Sequence, residues 1–229
     1  EEGATLTMVL LAGYAAVLGR WSGQKDFAVA MPVANRRAVE AETLIGFFVN
    51  TLPVRVRLGR NLTFRALIRR MRESCLGAYA NQDVPFERIV EAVQPDRYLG
   101  ANPVVQTLFA LQNAPVGEIA LPDLELSYDE PHTGVTRFET ELLLVETASG
   151  LEGILNYSTE LFEGERMRSF VAEFRQLLES GLESPDKALG DLQTLSATQC
   201  RRLLHEWNAP RVLYDDPLPA HVLFERQAR

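Results

Sequence analysis

Three histidines, His132, His205 and His221, are the side chains in this sequence whose ordinary pKa suits proton transfer near neutral pH. None has a second histidine or a carboxylate at metal-ligand spacing, so no zinc site is expected. His132 falls in a long loop, where it has the freedom to act as a base, but a solvated loop histidine is the better reading. His205 and His221 fall in the C-terminal tail and read as surface residues of short helices. Cys75 and Cys200 lie far apart with no partner spacing, which argues against a disulfide framework and fits a reducing cytoplasm. No Gly-x-Ser-x-Gly elbow, phosphate-binding loop or dinucleotide glycine pattern occurs. The expected set of catalytic residues within this chain is therefore empty.

What remains are polar residues set among apolar ones. The stretch IGFFVNTLPVRV, residues 45–56, opens apolar, carries Asn50 and Thr51 at its centre, then alternates Val-Arg-Val-Arg. The arginines between residues 55 and 72 could attract an acidic partner. Alternation and helical spacing already make them solvent faces, which is the stronger reading. Asp83 stands two residues before Pro85, where its carboxylate is expected to cap a helix that opens at that proline. Asn102-Pro103 reads as a turn into a strand, and Gln106 falls inside that strand, where an amide needs a partner or a cavity.

The elements that must position these residues follow from periodicity. Residues 4–20 are apolar almost all round and predict a buried helix. Residues 26–36 predict a buried strand ended by Pro32, and residues 52–58 a strand with Val54, Val56 and Leu58 inward. In the helix expected over 63–80, Phe64, Leu67, Ile68, Met71, Cys75 and Tyr79 share one face. Phe86, Ile89, Val90 and Val93 form the stripe of the next helix. Residues 102–113, 136–147 and 151–158 read as strands, with a Ser149-Gly150 turn between the last two. The loop 113–135 is long enough to be functional. Helix 163–181 carries Met167, Phe170, Phe174 and Leu177 on one side. Residues 183–195 break the pattern as a linker, and Ser196 with Gln199 predicts a capping box for a short helix ending near Trp207. An extended segment then precedes a helix starting at His221. This order predicts an α/β (α+β) domain with a mixed sheet flanked by helices.

Net charge is −8 over 229 residues. Residues 1–115 carry 13 Lys and Arg against 10 Asp and Glu, and residues 116–229 carry 10 against 21, so a net +3 is followed by −11. So acidic a chain is a poor nucleic-acid binder. Its longest apolar run, Met8 to Gly19, is shorter than the roughly 20 residues that cross a bilayer, so no membrane partner is expected. No basic-then-apolar leader opens the chain, and its start, Glu-Glu-Gly without Met, reads as that of a trimmed fragment.

Three ordered segments carry a family resemblance. IGFFVNTLPVRV is similar to the Ile-Gly-x-Phe-Val-Asn-Thr-Leu motif of condensation domains in nonribosomal peptide synthetases, with the family's arginine at Arg55. NQDVPFE (81–87) resembles the motif His-Gln-Asp-Val-Pro-Phe-Glu, with Asn81 in place of His. RYLGANPVVQ (97–106) resembles Arg-Asp-x-Ser-x-Asn-Pro-x-x-Gln, with Tyr98 and Gly100 in place of Asp and Ser. Residues 22–36 and 150–167 also resemble the family. LLHEWNAP and LPAHVLFERQAR resemble the junction into an adenylation domain.

The resemblance implies the C-terminal half of a condensation domain, one lobe of the chloramphenicol acetyltransferase-like fold. Residues 1–182 would form the lobe, 183–208 a condensation–adenylation linker and 209–229 the start of an adenylation domain. The family's catalytic motif, His-His-x-x-x-Asp-Gly, occurs nowhere in these residues. The implied partners are the N-terminal lobe, carrier proteins whose phosphopantetheine arms deliver thioesters, and a downstream adenylation domain. No cofactor is implied to bind directly. The resemblance places Arg36, Asn50, Asn102 and Gln106 at a tunnel or lobe interface. Asn50 would mark where a buried segment meets that cleft. Asp83, Pro85 and Arg97 become structural motif residues, and loop 113–135 the segment that reaches to the other lobe. A non-catalytic docking lobe, or half of an epimerisation or heterocyclisation domain, stays open. A freestanding acetyltransferase is the least fitting reading.

Overall fold

The computed structural model describes residues 2–36, 39–95, 102–112, 134–209 and 218–228. In chain order these form α1 (Leu6–Ser22), β1 (Asp26–Val33), α2 (Val39–Glu42), β2 (Asn50–Arg57), α3 (Phe64–Ala80), α4 (Phe86–Val93), β3 (Thr107–Gln112), β4 (Thr140–Thr147), β5 (Gly150–Tyr157) and α5 (Gly164–Glu183). A short 3-10 turn (Leu189–Asp191), α6 (Ala197–Arg201), a π-turn (Arg202–Glu206) and α7 (Ala220–Gln227) complete them. The described residues divide into two compact units, Glu1–Thr194 and Leu195–Arg229.

The first unit is built on a mixed sheet of order β2-β1-β3-β4-β5. β1 is antiparallel to β2, β3 is parallel to both β1 and β4, and β4 is antiparallel to β5. One sheet face carries Val29, Met31, Val54, Val56, Phe109, Leu142 and Leu144, and these pack into one core with α1, α3 and α5. α1 touches both α3 and α5, so the middle of this helical layer is buried on nearly all sides. That is why its sequence shows no amphipathic stripe. Thr5 starts it by accepting from the Met8 N–H at 3.4 Å, and Gly23, at φ 71°, ends it in a left-handed conformation. Leu11, Tyr14 and Val17 are wholly buried, each contributing about 1.5–3 kcal/mol by leaving water.

Several expectations need correction. The first strand runs through Pro32, which pairs with Thr51, and stops at Val33. β2 starts at Asn50, not Leu52. The apolar residues before it are not a buried segment: Ile45 is fully exposed and Phe47 is 92% exposed. The supposed linker after 182 packs back onto the first unit. Arg65 N–H donates to Pro185 O at 2.8 Å, Leu189 N–H to Leu62 O at 2.8 Å, and Leu192 and Thr194 are buried. The first of these bonds satisfies an amide hydrogen in the first turn of α3 that would otherwise need water.

Candidate functional site

Arg36 and Asn50 organise one end of the sheet. The Arg36 guanidinium donates to Leu44 O at 2.8 Å and to Ala41 O, and stacks 4.3 Å from the Phe48 ring centroid. It thus folds residues 41–48 around itself and leaves Leu44, Ile45, Phe47 and Val49 outside. Asn50 uses its whole amide. Its Nδ2 donates to Gln82 O and Val84 O, both at 2.8 Å, while Oδ1 accepts from Thr51 N–H at 2.9 Å and Phe86 N–H at 3.3 Å. One side chain therefore ties the start of β2 to the turn before α4.

That clamp changes the part given to Asp83. The N-cap position of α4 is Pro85, which offers no side-chain acceptor, and the first helical N–H, that of Phe86, is taken by Asn50 from a different element. Sequence-local capping rules look three residues back and miss a cap delivered across 36 residues. Arg97 and His132 lie outside the described residues.

Asn102 and Gln106 organise the other end. Asn102 Nδ2 donates to Arg137 O, Gln106 Nε2 donates to Asn102 O at 3.0 Å, and Glu139 N–H donates to Gln106 O at 2.9 Å. Between them the chain makes a γ-turn, Val105 N–H to Pro103 O at 2.8 Å, with Val104 at φ 68°. A β-branched residue in this region is strained, by about 1–3 kcal/mol. The turn is why β3 begins at Thr107 and not near 102, and why Gln106 is an exposed residue just outside the strand.

The four residues expected at a tunnel or lobe interface form two pairs at opposite sheet ends. Asn50 pairs with Val33, and the β1–β3 register of Ala30 with Leu108 puts Gln106 beside Ala28. Five residues of strand separate these levels, roughly 17 Å along the sheet.

Beside Gln106 opens a cleft of about 710 Å³, walled by Trp21, Phe27, Phe162 and Phe170. Thr107 and Thr140 also line it. Their hydroxyls lie 2.8 Å apart, and the buried Tyr14 hydroxyl is 2.6 Å from the first and 3.1 Å from the second. Burial pushes the Tyr14 phenol above its ordinary pKa, against the opposing pull of the two threonines, so it serves as a neutral hydroxyl. Trp21 is fixed by donating from Nε1 to Glu173 Oε2 at 2.6 Å, and Arg166 lies 5.6 Å from its ring centroid. Tyr14, Trp21, Thr107 and Thr140 did not stand out in the sequence. Tyr14 sits in an apolar helix and the threonines in ordinary strands, and only the β3–β4 register brings them together. His205 and His221 are exposed residues of the second unit. Among the described residues no group of three or more His, Cys, Asp or Glu is placed to hold a metal. Among them, too, no helix is long and apolar enough to cross a membrane.

A family model for the condensation domain matches residues 1–204. Malpibaldin synthetase of Mortierella alpina is 37% identical over 227 residues, covering 99% of this chain and 4% of the relative. Bacitracin synthase 1 of Bacillus licheniformis is 35% identical over 228 residues, covering 100% of this chain and 4% of the relative. The chain therefore spans about 4% of the length of these curated relatives. Among solved structures, the X-domain from teicoplanin biosynthesis superposes with a TM-score of 0.76 at 26% identity, over 85% of this chain and 45% of that one. A four-domain nonribosomal peptide synthetase bound to AMP and glycine superposes with a TM-score of 0.77 at 22% identity, over 85% of this chain and 16% of that one, which shows the shared fold. The fold is the chloramphenicol acetyltransferase-like one of condensation domains. The chain belongs to the condensation domain family of nonribosomal peptide synthetases.

Proposed function

We propose that this chain is the C-terminal lobe of a condensation domain and forms peptide bonds only together with an N-terminal lobe. In the full domain an amine on one carrier-bound arm attacks the thioester carbonyl on another. The C–N bond forms, the C–S bond breaks, and the thiol leaves on its phosphopantetheine arm. The chemistry requires the amine to be oriented and relieved of a proton, and the tetrahedral oxyanion to be stabilised. Orientation is worth roughly 7–11 kcal/mol of barrier. The lobe described above offers clamps and walls, while the His-His-x-x-x-Asp-Gly motif is absent from its sequence.

The observation that carries this reading is the apolar shelf at residues 44–49. Its backbone is fixed by Arg36 and flanked by the Asn50 clamp, yet Ile45 and Phe47 project into water. Rigid, exposed, contiguous apolar side chains mark a surface that another body covers. On this reading Arg36 and Asn50 support the lobe contact, and Asn102 and Gln106 stand further along the same tunnel. Carrier proteins and an adenylation domain are the remaining partners, in a reducing cytoplasm. The lobe body extends through Thr194, with a linker to residue 208 and an adenylation segment from residue 209.

The test is complementation. The chain is mixed with the remaining condensation residues of its parent and with two charged carrier proteins, and product is followed by mass spectrometry. Peptide bond formation is expected only with both lobes present. The Ile45→Asp, Phe47→Asp variant is expected to lose complementation at unchanged melting temperature. Product from this chain alone overturns the proposal, as does full complementation by the variant. Lobes that associate without product, given an intact parental motif, favour a docking lobe.

A further inference from the structure

We propose that the cleft beside Gln106 binds a free α-amino acid with an apolar or aromatic side chain. The cleft lies at the opposite end of the sheet from the apolar shelf at residues 44–49. At about 710 Å³ the cleft falls within the roughly 300–1,000 Å³ typical of small-molecule sites. Its walls are Trp21, Phe27 and Phe162, which suit an apolar side chain.

Charges of both signs reach the same cleft. Arg166, Glu163 and Glu139 all line it, and among the described residues none of the three makes an ion pair. Glu163 and Arg166 stand one turn apart at the start of α5 and do not pair with each other. Glu163 occupies the N-cap position there without a side-chain capping bond, so its carboxylate is not committed to the helix. Arg166 lies over Trp21, which leaves its guanidinium edge free for a carboxylate. A zwitterion satisfies both signs at once: its carboxylate meets Arg166 and its ammonium meets Glu163 or Glu139.

The third group is held in place at a cost. Gln106 spends one Nε2 hydrogen on Asn102 O and keeps its Oε1 without a donor among the described residues. The strained turn at Val104 is what brings this amide to the rim. A strained backbone persists only where the surroundings over-determine it, as at ligand clamps. Oε1 is an acceptor for the ligand's ammonium. The site's demand for a free carboxylate separates it from any place that receives a carrier-bound aminoacyl group, whose carboxyl is a thioester.

The experiment uses the full chain with Trp207→Phe, so that Trp21 is the sole indole, and follows fluorescence and titration calorimetry. Saturable binding of L-phenylalanine and L-leucine is expected. L-Phenylalaninamide lacks the carboxylate and N-acetyl-L-phenylalanine lacks the ammonium, and each is expected to bind about fivefold more weakly, the loss of one partly exposed charged contact. Arg166→Gln and Glu163→Gln are expected to show the same loss for L-phenylalanine with no change in melting temperature. No saturable binding of either amino acid overturns the proposal. Binding of either the amide or the N-acetyl form as tight as that of L-phenylalanine overturns it as well.

Discussion

Asn50 is the residue whose removal tests the architecture most directly. Asn50→Ala deletes four hydrogen bonds, two donated to Gln82 O and Val84 O and two accepted from Thr51 and Phe86 N–H. Each is worth about 0.5–1.5 kcal/mol net. Freeing an ordered amide side chain returns about 1 kcal/mol of rotamer entropy. Asn50 is only half-buried, so water re-solvates part of what is exposed. The balance is a loss of about 2 kcal/mol, or roughly 4–8 °C in melting temperature for a chain of this size. Asn50→Asp is the informative companion. It keeps the acceptor for Phe86 but turns a carboxylate toward two carbonyl oxygens, and is expected to destabilise at least as much. Urea unfolding gives the size of the effect, and amide exchange gives its place, since α4 and the turn before it are expected to exchange faster while α1 does not. A loss under about 0.5 kcal/mol, or faster exchange spread evenly over the chain, would refute the clamp.

Two further outcomes concern ionisation. Hydrogen bonds from Arg69 and then Arg65 hold the Glu2 carboxyl down at about 2. A carboxylate depressed in the folded state stabilises it above the ordinary value of 4.5, and this contribution is lost as pH falls toward 2. The difference in urea midpoint between the native chain and Glu2→Gln is therefore expected to be full at neutral pH and to vanish near pH 2; a difference that grows on acidification would contradict it. Burial pushes the Cys75 thiol up to about 11, leaving roughly one thiolate in a thousand at pH 8. One thiol per chain, the half-buried Cys200, is expected to react quickly with an aromatic disulfide reagent, and the second only in denaturant; two fast equivalents in native buffer would show that the core around Cys75 opens.

Helices with one buried stripe were legible in advance. The faces of α3 and α5 follow from residue spacing, because a regular helix repeats every 3.6 residues whatever it packs against. The capping box at Ser196 and Gln199 was legible for the same reason, since both partners are local. The shelf at residues 44–49 was misjudged because hydrophobicity does not reveal which side of a chain a neighbour covers. Here the apolar side chains belong to a surface left open among the described residues. The strand boundary near Gln106 was misplaced because a γ-turn at a valine has no composition signal. Arg36, Asn50, Asn102 and Gln106 stand out in the sequence as polar residues, whereas their arrangement as two pairs at opposite ends of the sheet is set by register alone.

The sequence by itself determined the family, the run of helices and strands, and the buried faces of α3 and α5. All of these depend on local pattern and residue identity. Tertiary structure alone decided that Asn50 caps a distant helix, that Tyr14 meets two threonines from neighbouring strands, and that aromatic walls and charges of both signs share one cleft. The reason is geometric: such contacts join residues tens to more than a hundred positions apart, and no periodicity along a chain encodes which strands will lie side by side.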